Sequence, residues 1–225
     1  MPDQPAGEVL RASSLFGALD DASLAALLQA GRRRTVQRGG FLFFEGDDST
    51  SLVVLVAGRL KLVVTSPGGE QLLLGTLEPP AVLGEIGVID GGPRSATAEV
   101  LEDATVLMFP AAEIWRLLRA DFVFVEAMLT HLTRRTRTLT KTTADLVFLD
   151  LPGRLARLLA ETTAGDAAGG LRGLSQAELG QRVGASRQSV NAALQMFARR
   201  RWVELSRQQV SVLDAEALER FAVER

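Results

Sequence analysis

The chain contains no cysteine and a single histidine, His131. Without cysteine there is no disulfide, no thiolate nucleophile and no cysteine-ligated iron–sulfur cluster. One histidine rules out a multi-histidine metal site, and with it metalloenzymes built on a His-and-carboxylate ligand set. No apolar run approaches the roughly 18 residues that a bilayer-crossing helix requires. The opening residues, Met1-Pro2-Asp3-Gln4, lack the basic-then-apolar pattern of a secretory signal. These absences predict a cytoplasmic protein with no tightly bound cofactor and no membrane partner.

What remains is a globular composition: 225 residues, 47% hydrophobic and 23% charged. That is enough for one large domain or two ordinary ones. The net charge of −2 hides an asymmetry. Residues 151–225 hold 11 Lys+Arg against 8 Asp+Glu, and residues 1–150 hold the remaining 14 against 19. A basic C-terminal part suits a nucleic-acid partner, because phosphate neutralisation needs clustered cations rather than a basic whole. Uneven surface charge of no functional meaning gives the same split.

Apolar residues at helical spacing mark Leu15–Leu28, with Asp20-Asp21 placed to cap a second short helix. From Val36 to Phe109 the period shortens. Runs of Val, Leu and Phe at Phe41–Phe44, Leu52–Ala57, Leu60–Thr65, Gln71–Leu77, Thr97–Leu101 and Ala104–Phe109 alternate with turn signals such as Ala57-Gly58 and Pro67-Gly68-Gly69. This pattern predicts an antiparallel barrel or jelly roll. After Pro110 the period turns helical, and residues 121–149 form one segment without Gly or Pro. Val125, Leu132, Leu139 and Leu146 recur there every seventh position, with Met128 and Leu129 on the same side. Such a stripe pairs a long helix with another helix and predicts a homodimer through residues 121–149. Packing of the stripe on its own β domain is the alternative. Asp150-Leu151-Pro152-Gly153 then breaks the segment, with Asp150 able to cap a new helix. Gly165–Gly173 reads as a flexible connection.

The last segment carries the motif best founded in physical chemistry. Ser175-Gln176-Ala177-Glu178 is a capping box, Gly184-Ala185 makes a turn, and Ser186 caps a second helix buried through Val190, Ala193, Leu194 and Phe197. Helix, glycine-containing turn and helix describe a helix-turn-helix. Arg187, Gln188 and Asn191 share the opposite face and have the donors and acceptors that base edges in the major groove require. Arg199-Arg200-Arg201 and Arg207 suit phosphates. Trp202–Leu205 and Gln209–Leu213, around Ser206-Arg207-Gln208, read as a hairpin wing. A small helical subdomain with a solvated basic face is the plainer alternative.

Two stretches extend the reading. Gly84-Glu85-Ile86-Gly87-Val88-Ile89-Asp90-Gly91-Gly92-Pro93-Arg94-Ser95-Ala96 resembles the phosphate-binding cassette of cyclic-nucleotide domains. Phe148-Leu149-Asp150-Leu151-Pro152-Gly153-Arg154, followed by Gly184-Ala185-Ser186-Arg187-Gln188-Ser189-Val190-Asn191, is similar to the hinge and recognition helix of the cyclic-AMP receptor protein and fumarate-nitrate regulator family. The likeness runs from about Leu15 to Phe221. It implies an α+β chain: an N-terminal antiparallel β-roll that binds cyclic nucleotide (1–120), a long dimerisation helix with its hinge (121–150), and a C-terminal winged helix-turn-helix (151–225). It implies a transcription regulator rather than an enzyme, with double-stranded DNA, cyclic AMP, a second copy of the chain and RNA polymerase as partners.

The same resemblance assigns roles. Arg94 holds the cyclic phosphate bidentately, Ser95 donates a hydroxyl hydrogen bond, Gly84 admits close backbone approach, and Glu85 accepts from the ribose hydroxyl. A buried Arg94–Glu85 pair would spare either charge from standing alone. An ordinary surface ion pair beside a loop is the alternative reading of these two residues. Arg135 and Thr140 stand where an arginine and a hydroxyl residue approach the base. Leu139 stands where cyclic-AMP-responsive members carry an adenine-reading threonine, a difference worth about 0.5–1.5 kcal/mol of discrimination. Ser186, Arg187, Gln188 and Asn191 form the DNA-reading set, with Arg187 matching a guanine-reading arginine. Gln188 and Ala192 replace a frequent glutamate and arginine. His131 reads as polar helix surface rather than a haem ligand.

Overall fold

A computed structural model describes residues 4–165, 170–172, 176–206 and 209–224. The chain divides into two compact units, Met1–Thr136 and Arg137–Arg225, each with its own hydrophobic core.

The first unit opens with α1 (Gln4–Ala12) and α2 (Asp21–Ala30). Asp20 caps α2 by accepting a hydrogen bond from the Ser23 backbone N–H at 2.6 Å. Leu15 and Leu19 are buried, but in the turn between the helices rather than in a helix. The chain folds back closely on itself there. A Cβ on Gly17 would lie 2.6 Å from the Arg11 carbonyl oxygen, and the Ser13 hydroxyl already accepts the Phe16 N–H.

The sheet follows: β1 (Arg32–Val36), β2 (Phe41–Phe43), β3 (Ser51–Thr65), β4 (Gln71–Leu77), β5 (Ala81–Leu83) and β6 (Thr97–Pro110), with α3 (Glu85–Asp90) between β5 and β6. Every pairing is antiparallel, in the order β1-β6-β3-β4, with β2 on β6 and β5 on β3. Two pairs of expected strands prove to be single strands. Leu52–Ala57 and Leu60–Thr65 join as β3, and Thr97–Leu101 and Ala104–Phe109 join as β6. Gly58, read as a turn, is instead a bulge inside β3, where the register on β6 shifts. Its φ of +87° suits glycine, and a Cβ would lie 2.3 Å from the Asp103 carbonyl oxygen. The bulge bends the paired strands without ending them.

Beyond β6 come α4 (Ala111–Ala120) and α5 (Phe122–Phe148). The heptad stripe on α5 divides. Phe124 and Met128 are buried and Leu132 packs beside them on the first unit's own core. Leu139 and Leu146, in the second unit, remain 50% and 39% exposed within the single chain. Of the first half of the stripe, Met128 and Leu132 thus pack on the β domain's own core, while Leu129 is 59% exposed.

The second unit continues with α6 (Leu151–Gly165), β7 (Gly170–Arg172), α7 (Gln176–Val183), α8 (Arg187–Arg199), β8 (Val203–Leu205), β9 (Gln209–Val212) and α9 (Ala215–Val223). Asp150 caps α6 through the Gly153 N–H at 2.9 Å. The hairpin of β8 and β9 gains β7 as a third strand, out of a segment read as a flexible connection. Ser175 of the capping box and Arg207-Gln208 of the wing turn lie outside the described residues. No described helix is long and apolar enough to cross a membrane.

In the first core the ring of Phe16 lies 5.8 Å from that of Phe109 on β6 and 5.7 Å from that of Phe124 on α5. One side chain thus joins the N-terminal turn, the sheet and the long helix. Phe16→Ala should cost roughly 3–5 kcal/mol of stability, the range for emptying a buried aromatic site. Chemical denaturation checks this; a loss under about 1 kcal/mol would mean that the site collapses around the cavity.

Candidate functional site

The cassette residues surround a cleft in the first unit. Leu83 at the end of β5, Gly84, Glu85, Ile86 and Gly87 at the start of α3, and Arg94, Ser95 and Ala96 leading into β6 form one side. Phe43, Leu62 and Leu74 supply apolar walls, and Arg135 of α5 also lines the cleft. Apolar walls with a few converging polar groups are the usual make-up of a small-molecule site. Thr140 is exposed on the part of α5 that belongs to the second unit and is not among the lining residues.

Local sequence explains the shape. Gly84 adopts φ +80°, and a Cβ there would come 1.8 Å from Arg94 Nη1 and 3.3 Å from the Ser51 carbonyl oxygen. Gly87 is equally confined: a Cβ would meet Ser49 at 2.5 Å and the Gly92 carbonyl oxygen at 2.6 Å. The glycines therefore let α3 turn in tightly against the Arg94 segment. Reciprocal backbone bonds hold that segment, with Gly46 N–H donating to Arg94 O at 2.9 Å and Arg94 N–H to Asp47 O at 2.8 Å.

Arg94 and Glu85 are both buried, at 5% and 1% exposure, but they do not form the expected pair with each other. The Arg94 guanidinium donates to the Ser51 carbonyl at 2.8 Å and to the Gly84 carbonyl at 3.4 Å, and stacks 4.3 Å from the centre of the Phe43 ring. Among the described residues, Glu85 meets side chains from α5 instead: Arg135 Nη1 at 3.2 Å from Oε1, and His131 Nε2 at 3.8 Å from the same oxygen. The reason is directional. The Arg94 guanidinium bends back to β3, while α3 aims Glu85 at the long helix. Burial pulls the Arg94 guanidinium below its usual value, against the charges of Glu85 and Asp47. Burial likewise pushes the Glu85 carboxyl up, but His131 and Arg135 outweigh it and hold the group below its ordinary value. Ser95 is exposed at the cleft mouth.

His131 is thus not simple surface. Its side chain is 16% exposed and faces a buried acid. Its place four residues before Arg135 was the available signal, because residues so spaced share a helix face.

The second candidate site lies on α8. Gly184, at φ +65°, makes the turn after α7, and Ala185 N–H donates to the Gly180 carbonyl at 2.8 Å. A Cβ on Gly180 would stand 2.5 Å from the Ala185 carbonyl oxygen, so the two helices close only over glycine. Ser186 caps α8 by accepting the Ser189 N–H at 3.2 Å. Val190, Ala193, Leu194 and Phe197 are buried, leaving Arg187, Gln188 and Asn191 on the exposed face. Arg154 supports this frame from α6, donating to the Val183 carbonyl at 2.9 Å and the Leu149 carbonyl at 2.8 Å. The three consecutive arginines are not equivalent. Arg200 stacks on Trp202 at 4.8 Å and Phe221 at 5.5 Å, whereas Arg199 and Arg201 are exposed without such a stack.

Residues 33–121 match the family model of the cyclic nucleotide-binding domain, and residues 153–221 that of the Crp-like helix-turn-helix domain. The chain is 32% identical to a CRP-like cAMP-activated global transcriptional regulator of Mycobacterium tuberculosis, over 96% of this chain and 99% of that protein. It is 28% identical to the cyclic AMP receptor protein of Thermus thermophilus, over 95% and 98% of the two chains. The fold is similar to that of the c-di-GMP-responsive global regulator CLP of Xanthomonas campestris, with TM-score 0.74 and 18% identity over 86% of this chain and 99% of that one.

The Glu85 carboxyl generates a pH test. Its folded value lies below the unfolded one near 4.5, so its contribution to stability is full above that pH and is lost as pH falls through the folded value. Glu85→Gln should therefore melt below wild type at neutral pH, and the gap should close as pH falls below about 4.5. Melting curves that stay parallel below that pH would show that the charge of Glu85 does not stabilise the fold.

Proposed function

Because this chain belongs to the CRP/FNR family of transcription regulators, we propose that it is a cytoplasmic homodimer that binds double-stranded DNA sequence-specifically under the control of cyclic AMP. The family relation makes it a regulator with a cyclic nucleotide-binding domain and a DNA-binding helix-turn-helix, and not an enzyme. The finer statements form the proposal. Residues 1–120 bind the effector, 121–150 dimerise and hinge, and 151–225 bind DNA, with RNA polymerase as the partner through which promoter occupancy acts.

The cleft is the observation that carries the effector reading. A buried guanidinium and a buried carboxylate converge on one apolar-walled space. A cyclic phosphate needs the first, and a ribose hydroxyl needs the second. Gly84, Ser95 and Arg135 complete that set, and Thr140 joins it from the resemblance alone. Cyclic AMP is favoured because the Mycobacterium tuberculosis and Thermus thermophilus relatives are named for it. Leu139 supports a second reading, in which the protein acts constitutively or with another effector. Half exposed on α5, it suits a helix–helix seam better than an adenine contact. In the dimer, two α8 helices about 34 Å apart would enter successive major grooves, with Ser186, Arg187, Gln188 and Asn191 at the bases or adjoining phosphates.

Arg94→Leu should abolish the calorimetric signal with cyclic AMP while the protein stays folded and dimeric in sedimentation. Wild-type protein that gives no heat would favour the second reading.

Arg187→Ala should lower affinity for a selected duplex about 10–100-fold and leave random duplex nearly unchanged, since a bidentate arginine–guanine contact is worth roughly 1–3 kcal/mol. Neutralising Arg199 should weaken both duplexes alike and reduce the salt slope by about one unit. Equal losses on both duplexes for Arg187→Ala would remove that residue from base reading. A wild type that selects no duplex would sink the DNA reading.

A further inference from the structure

We infer that His131 is a positioning residue for Glu85, and that its protonation tightens the hold of the cleft on an anionic ligand. This rests on the effector reading above, since it gives the acid assigned to the ribose a second contact from α5.

The geometry is specific. His131 and Arg135 stand one turn apart on α5 and approach the same oxygen of Glu85, at 3.8 Å and 3.2 Å. Both His131 Nε2 and Glu85 Oε1 are buried, and neither completes a hydrogen bond. Glu85 Oε1 has the Arg135 charge beside it, and a movement of about 1 Å would bring the imidazole within hydrogen-bond distance as well. The imidazole lies outside the cleft lining and touches a ligand only through Glu85.

The charge balance then gives a direction. His131 and Arg135 from α5 meet Glu85 from α3, and Arg94 from the segment entering β6 feels the charges of Glu85 and Asp47. Two anions thus stand with two permanent cations. A bound phosphate adds a further negative charge beside Arg94, which a protonated imidazole offsets. Proton and ligand then favour each other, and by linkage each raises the affinity for the other equally. The second cationic contact also fixes the carboxylate that accepts the ribose hydroxyl. A histidine that merely fills space would change stability without making ligand affinity depend on pH.

The test uses the full chain and calorimetry with cyclic AMP across the range in which imidazoles titrate, about pH 5.5 to 8. Wild type should bind about 3- to 10-fold more tightly at the acid end, corresponding to up to one unit of linked shift. His131→Gln, which keeps a neutral donor, should bind with nearly the same affinity at both ends. The same pH ratio in both proteins overturns the proposal. A second arm needs no ligand: carbon-13 titration of the Glu85 carboxyl should move to higher pH in His131→Gln and in His131→Leu. An unmoved titration in both variants overturns the positioning role. If wild type binds no cyclic AMP at either pH, the cyclic-AMP reading of the cleft fails together with the affinity claim, and the carboxyl titration still decides the positioning role.

Discussion

A carboxylate removed from water must be met by cations or hydrogen-bond donors, because isolated burial costs several kcal/mol. Glu85 is in that position, with 1% of its surface exposed. Its partners come from a different element, α5, and this decides much else. It fixes α3 against the long helix and places Arg135 in the cleft wall. It also frees Arg94 to turn toward the Ser51 and Gly84 carbonyls. Gly84 belongs to the same constraint. A side chain at that position would collide with the Arg94 guanidinium, so backbone, arginine and acid are settled together.

The long helix shows why a repeating stripe was not enough to choose its neighbour. A heptad of leucines says that one face is apolar along its length, and nothing about whether one surface covers all of it. Here the own-chain core claims Phe124, Met128 and Leu132, tied in through the stacked ring of Phe16. Leu139 and Leu146 lie past the end of that core. There α5 meets α6 through Asp145–Arg157 and Lys141–Glu161 ion pairs, which leave the apolar edge exposed. The proposed helix–helix seam therefore concerns the second half of the stripe rather than the whole.

Features governed by local rules were legible from residue order. Asp20, Asp150 and Ser186 each cap the helix they precede, and α8 buries the four residues that its period selects. Features governed by distant partners were not. Gly58 signals a turn in isolation, and only its place opposite Asp103 makes it a bulge in a continuous strand. The Arg32-Arg33-Arg34 stretch of β1 carries no apolar alternation, since it lies exposed on β6 and is held by its ladder. In the cleft the residue types were readable and the pairing was not. Arg94 and Glu85 are near neighbours in sequence, yet α3 turns one toward α5 while Phe43 and Ser51 draw the other toward the sheet.

That separation bears on how occupancy of the cleft would be felt elsewhere. A ligand shifts a conformation only through contacts that differ between states. Had Arg94 and Glu85 been paired with each other, a ligand bridging them would exchange one local contact for another. On the proposed effector reading, a hydroxyl that took up the Glu85 carboxylate would share it with Arg135 of α5. Arg94, now on the Ser51 carbonyl, would turn toward the phosphate at the same time. The free energy available for gating would be the difference between these internal contacts and those with the ligand, set against an allosteric coupling of about 1–3 kcal/mol in the usual case.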